Sequence, residues 1–166
     1  MQHSLIIGAA LAAMAAGSAS AAEFSPEVDR AIDACLAAAR QQQVGQVIEW
    51  NLDWASGLGF DVDLVAPSDR VYRMRCEGGA ITKSDRKAGN KKYEMLSTRH
   101  RVEENEARQL AGAEYRGGEL NRMQYELNWR GNPYYSYSFN LPDGRTANVM
   151  VNAATGKIDK TSSERK

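Results

Sequence analysis

Three successive runs near the C-terminal end alternate apolar and polar side chains with a period of two. Met123, Tyr125, Leu127 and Trp129 alternate with Arg122, Gln124, Glu126, Asn128 and Arg130. Tyr135, Tyr137, Phe139 and Leu141 alternate with Tyr134, Ser136, Ser138 and Asn140, and Ala147, Val149 and Val151 stand opposite Thr146, Asn148 and Met150. Such alternation predicts an antiparallel meander with one face covered and one face wet. Gly131-Asn132-Pro133 and Pro142-Asp143-Gly144 supply the turns, and Thr155-Gly156-Lys157-Ile158 leads into a short fourth strand.

The same pattern occurs earlier in the chain. Residues 48–76 fall on 123–151 at an offset of 75 without a gap, so that Ile48, Trp50, Leu52 and Trp54 land on Met123, Tyr125, Leu127 and Trp129. Phe60, Val62 and Leu64 land on Tyr135, Tyr137 and Phe139. A fixed period with matched spacing predicts one supersecondary unit used twice. A helix precedes each meander. Ser25-Pro26-Glu27 opens the first, with Val28, Ile32, Cys35, Leu36 and Ala39 on one face, and the second runs from near Glu103 to Gly117-Gly118. The predicted fold class is α+β, as two tandem repeats. Each repeat is a helix packed on one face of a three- to four-stranded antiparallel sheet.

Residues 1–21 stand apart. Leu5 to Ala16 is an apolar run too short to span a bilayer, and Ala19-Ser20-Ala21 has the small-x-small form of a signal-peptidase site. The chain divides into a signal peptide (1–21), a first unit (22–84), a basic connector (85–100), a second unit (101–160) and a charged tail (161–166). The expected location is periplasmic or secreted, with no membrane span in the mature chain. All charged residues lie after the leader, 21 of each sign, so no global field steers the chain to nucleic acid. The cluster Lys83, Arg86, Lys87, Lys91, Lys92, Arg99 and Arg101 is read as a solvated connector. Two cysteines in an exported chain predict one disulfide, Cys35 to Cys76, because both fall on apolar positions of the first unit.

From Tyr135-Ser136-Tyr137-Ser138-Phe139 through Asp143-Gly144-Arg145 to Val151-Asn152-Ala153-Ala154-Thr155-Gly156-Lys157-Ile158, the chain resembles the PepSY domain family. Asn152 stands where an acid is commoner in that family's closing signature. The resemblance covers roughly residues 102–160, and the first unit shares it only through the repeat. It implies an exported or envelope domain tied to protease propeptides, restraining peptidases or binding other partners. It implies no catalytic residues.

The chemistry-bearing residues agree. His100 is the only histidine after the leader, which makes a His-based metal site or a Ser-His-Asp arrangement hard to build. No cofactor and no metal ligand set are expected. The acids Glu49, Asp53, Asp61 and Asp63 are the one candidate for a hard cation. Counting back from Pro67, however, places Asp63 opposite Arg73 and Asp61 opposite Arg75, as exposed pairs on the wet face. On the second unit Tyr134, Ser136, Ser138, Asn140 and Asn148 form an uncharged face, the candidate surface for a protein partner. The expectation is a non-enzymatic exported protein acting by protein contact, with a peptidase as one candidate partner. A small-ligand or cation-binding envelope sensor is the alternative.

Overall fold

The computed structural model describes residues 25–165 apart from 54–58, 98–99 and 116. The leader at 1–21 and Trp54 lie outside the described residues. Helix α1, Pro26–Gln42, begins where Pro26 pre-sets the backbone, and the Ser25 carbonyl accepts from the amides of Val28 and Asp29. The Ser25 hydroxyl makes no cap hydrogen bond. Val28, Ile32, Cys35, Leu36 and Ala39 form its buried stripe.

Four strands follow: β1 (Gln46–Asp53), β2 (Gly59–Val65), β3 (Arg70–Glu77) and β4 (Ala80–Asn90). After α2 (Tyr93–Ser97) and α3 (Glu104–Glu114) come β5 (Glu119–Leu127), β6 (Pro133–Asn140), β7 (Arg145–Asn152) and β8 (Ile158–Arg165). The fold is α+β, but the two expected sheets are one. All eight strands form a single antiparallel sheet in the order β4-β3-β2-β1-β5-β6-β7-β8. The first strand of each half has a free edge, and joining β1 to β5 pairs those backbone groups while continuing one covered face. Helices α1 and α3 both lie on that face, α1 across β2–β4 and α3 across β6 and β7.

The expected boundaries shift accordingly. β4 carries the ladder to Asn90, so the boundary at 84 falls inside a strand, and Lys83, Arg86 and Lys87 are ladder residues rather than connector. β8 runs through the segment expected to be a charged tail, with Ser162 opposite Asn148 and Glu164 opposite Thr146. The ladder to β7 holds this polar strand in place.

Register sets the rungs of the two halves side by side. Phe60 pairs with Cys76 and Leu64 with Tyr72, and Tyr135 with Val151 and Phe139 with Ala147, matching rungs at an offset of 75. The first strands match differently. Val47 faces Leu64 and Leu120 faces Phe139, an offset of 73 from 47 to 120, each followed by a bulge. The ungapped alignment is therefore two residues out in this strand, and the β5–β6 connection absorbs the extra two. Because side chains alternate with a period of two, a slip of two keeps every residue on its own face and leaves the hydrophobic pattern unchanged. Trp50 thus corresponds to Met123, not to Tyr125.

Two devices fasten the helices to the sheet. The Cys35–Cys76 disulfide joins α1 to the end of β3, with a Cα–Cα distance of 5.8 Å and both residues buried. In the other half three phenols tie down the segment that enters α3. Tyr125 donates to the Leu96 carbonyl (2.9 Å), Tyr135 to that of Val102 (3.1 Å) and Tyr137 to that of Glu104 (2.9 Å). These hydroxyls would otherwise be buried without a partner.

Candidate functional site

The face opposite the helices has two chemically distinct halves. On β1–β4 it is charged and self-neutralised. Asp63 pairs with Arg73 and Asp61 with Arg75 across the ladder, as the sequence count placed them. Asp63 is nevertheless not exposed. It keeps 3% of its surface, gripped by Arg73 Nε and Nη2 at 2.7 and 3.0 Å and by Lys87 Nζ at 2.6 Å. Arg73 from β3 and Lys87 from β4 lie over it, and a Lys87 assigned to the connector could not be foreseen there. Burial pushes the Asp63 carboxyl up, but the hydrogen bonds and charges of Arg73 and Lys87 outweigh it and hold the group below its ordinary range.

The other acids of this half are also engaged. Arg75 reaches Asp53 (2.9 Å), Asp61 (3.5 Å) and Glu77 (3.1 Å), while Arg122 reaches Glu49 at 2.8 Å. Among the described residues no group of three or more His, Cys, Asp or Glu is arranged to hold a metal ion.

On β6 and β7 the same face is uncharged. Tyr134, Ser136, Ser138 and Asn140 of β6 alternate outward, and Asn148 of β7 stands opposite Ser138. All five are half-buried. Ser138 Oγ donates to Asn148 Oδ1 at 2.5 Å, and Asn121, the extra residue of the β5 bulge, donates through Nδ2 to Asn140 Oδ1 at 3.0 Å. The structure thus brings the predicted residues onto one continuous patch, with side-chain donors and acceptors at strand spacing. Arg122 borders the patch and Arg130 lies in the β5–β6 connection.

A second polar cluster escaped the sequence reading. Arg108 on α3 is 1% exposed, between α1 and the sheet. Its guanidinium lies 2.6 Å from Asp33, 3.2 Å from Asp29 and 3.4 Å from Glu104. Glu104 also accepts from Trp50 Nε1 (3.3 Å) and from the Tyr137 hydroxyl (3.4 Å). Burial raises the Glu104 carboxyl above its ordinary range, and the Arg108 charge only partly opposes that. The available signal was spacing: Glu104 and Arg108 share the stripe of Ala107 and Ala111, facing Asp29 and Asp33 one turn apart on α1. The cluster fastens α3 to α1, with Arg108 buried and Asp33 at its exposed end. His100, at the end of the expected connector, is half-buried, edge-on to Tyr125 at 6.1 Å.

No protein-family model and no curated protein matches the chain. Solved structures do. A Clostridium difficile 630 protein provisionally described as a lipoprotein is 13% identical, with a TM-score of 0.52 over 81% of this chain and 90% of that one. The chain shares that protein's fold. A DUF2874 family protein from Bacteroides uniformis is 11% identical (TM-score 0.32, 84% of this chain and 90% of that one). The C-terminal domain of YpeB from Bacillus megaterium is 10% identical (TM-score 0.31, 87% of this chain and 68% of that one).

Proposed function

We propose that this is an exported, non-enzymatic protein of two tandem PepSY-like units that acts by protein contact, with a peptidase as the class of partner it restrains. The observation that carries the reading is the uncharged patch of Tyr134, Ser136, Ser138, Asn140 and Asn148. It is wide and hydrogen-bonding, and it lies beside a half whose charges already satisfy one another. Such a surface offers an extended or sheet-like partner many weak donors and acceptors without a desolvated charge to bury. Matching rungs in the two halves, at offsets of 75 and 73, support descent from one duplicated unit. The disulfide supports an oxidising, extracytoplasmic compartment, as does fold similarity to a protein described as a lipoprotein. Among the described residues no helix is long and apolar enough to cross a membrane.

The test is titration of the mature chain into envelope peptidases, followed by activity and by complex formation. Inhibition or a stoichiometric complex is expected, abolished by Ser138→Arg or Asn148→Arg with an unchanged melting temperature. Binding that survives both substitutions would overturn the assignment of the patch. A melting shift that requires calcium, without any complex, would favour the envelope-sensor reading.

A further inference from the structure

The ladder joining the two halves is short. It holds only Glu49 opposite Gln124, Trp50 opposite Met123 and Asn51 opposite Arg122. On β1 the register shifts between Val47 and Glu49, so that strand bends away just before the first of those rungs. Past Gln124, β5 therefore keeps β6 on one side and has no ladder partner on the other. A cleft of about 390 Å³ opens at that gap, within the size range of small-ligand sites.

Its walls are of two kinds. Ile48 and Leu96, both buried, and the half-buried Leu127 give an apolar wall under α2. That helix is held on the covered face by the Tyr125 hydroxyl, which donates to the Leu96 carbonyl at 2.9 Å. The charged side chains of the cleft are Glu49, Lys91, Lys92 and Glu126, two of each sign. Two are engaged within the protein: Glu49 by Arg122 at 2.8 Å and Lys92 by Asp69 at 2.9 Å. Lys91 and Glu126 make no ion pair among the described residues. They also stand on opposite sides of the sheet. Alternation along β5 places Glu126 on the helix-free face, whereas Lys91 leads into α2 on the covered one.

A ligand with a single charge would leave one of these two groups unanswered. A ligand that carries both signs answers each of them and brings no net charge into the cleft. We infer that the cleft binds a zwitterion of the amino-acid type, a free α-amino acid or a dipeptide, with an apolar side chain. Its carboxylate meets Lys91, its ammonium meets Glu126, and its side chain lies against Ile48, Leu96 and Leu127. Its remaining polar groups face the stretch of β5 that has no ladder partner, where backbone groups call for hydrogen bonds. This site is separate from the uncharged patch of β6 and β7 and does not depend on it.

The experiment records backbone amide shifts of the mature protein on addition of L-leucine and, separately, of L-leucyl-L-leucine at millimolar concentrations. Shifts confined to residues 48–49, 91–96 and 124–127 are expected, and the tighter binder names the source of the ligand. The N-acetylated form of that binder lacks the ammonium, and its C-terminal amide lacks the carboxylate. Each binds about five-fold more weakly or worse, the size of one net hydrogen bond. Glu126→Gln weakens the zwitterion but not the acetylated form, and Lys91→Gln weakens the zwitterion but not the amide. Both variants keep the melting temperature unchanged. The inference is overturned if neither zwitterion shifts these residues, or if the acetylated and amidated forms bind as tightly as the parent. It is also overturned if both substitutions weaken all the compounds alike, because a charge contact would then not be what was lost.

Discussion

Trp50 on β1 and Met123 on β5 face each other at the middle of the sheet, both fully buried. The pair is where the two halves meet, and the Trp50 indole also reaches across to Glu104 of α3. Arg108 of α3 completes the connection by pairing with Asp33 of α1. The halves share one core rather than abutting.

A shared core predicts one cooperative unfolding transition. Far-ultraviolet circular dichroism and tryptophan fluorescence should give coincident urea curves. Two separated transitions would mean that the halves are stable alone and that the Trp50–Met123 junction contributes little.

The disulfide closes a loop with a sequence separation of 41 and should contribute roughly 4 kcal/mol in the chain-entropy account. Replacing both cysteines, as Cys35→Ala with Cys76→Ala, should lower the melting temperature under oxidising conditions. Adding a reductant should bring the native chain down to near the variant's value while leaving the variant where it is. Calorimetry with and without reductant checks this.

Asp63→Asn should destabilise by about 1–3 kcal/mol at neutral pH, because it removes the carboxylate that two cations cover. The folded carboxyl titrates below its unfolded value, so its contribution is present above about pH 4 and is lost as the pH falls through the lowered folded value. Urea melts at neutral pH and at pH 3 should therefore show the gap between native and variant narrowing on acidification.

Glu104 gives the opposite sign. Its folded carboxyl is raised by burial, so the folded state holds the proton more tightly and stability falls as the pH rises above about 4.3. Glu104→Gln keeps an acceptor for Trp50 and Tyr137 and removes that titration. The stability of the variant relative to the native chain should increase from pH 4 to pH 7, read by melting temperature across that range. A constant difference would show that Arg108 compensates the Glu104 charge fully.

The strands and their faces were legible because period-two alternation reports which side of a sheet a residue occupies. Pairing partners were legible where a tight turn fixed the count, as for Asp63 with Arg73. What lies over a residue is not in its own strand's pattern. Asp63 is covered by a lysine from β4, a strand so charged that it read as connector. The alternation is equally blind to a slip of two, so Trp50 was matched to Tyr125 instead of Met123. Arg108 was hidden for a different reason: an arginine on an apolar helical stripe is buried only because Asp29, Asp33 and Glu104 converge on it, and that convergence exists only in three dimensions. The residues of the uncharged patch were all recoverable, since alternation places every second residue of β6 and β7 on one side.

The outermost strands are the two most hydrophilic of the sheet. β4 carries Lys83, Asp85, Arg86 and Lys87, and β8 carries Asp159, Lys160, Glu164 and Arg165. A second copy approaching the β4 border would have to strip water from mixed charges in order to dock. Sideways growth into a fibre is thereby opposed at that margin.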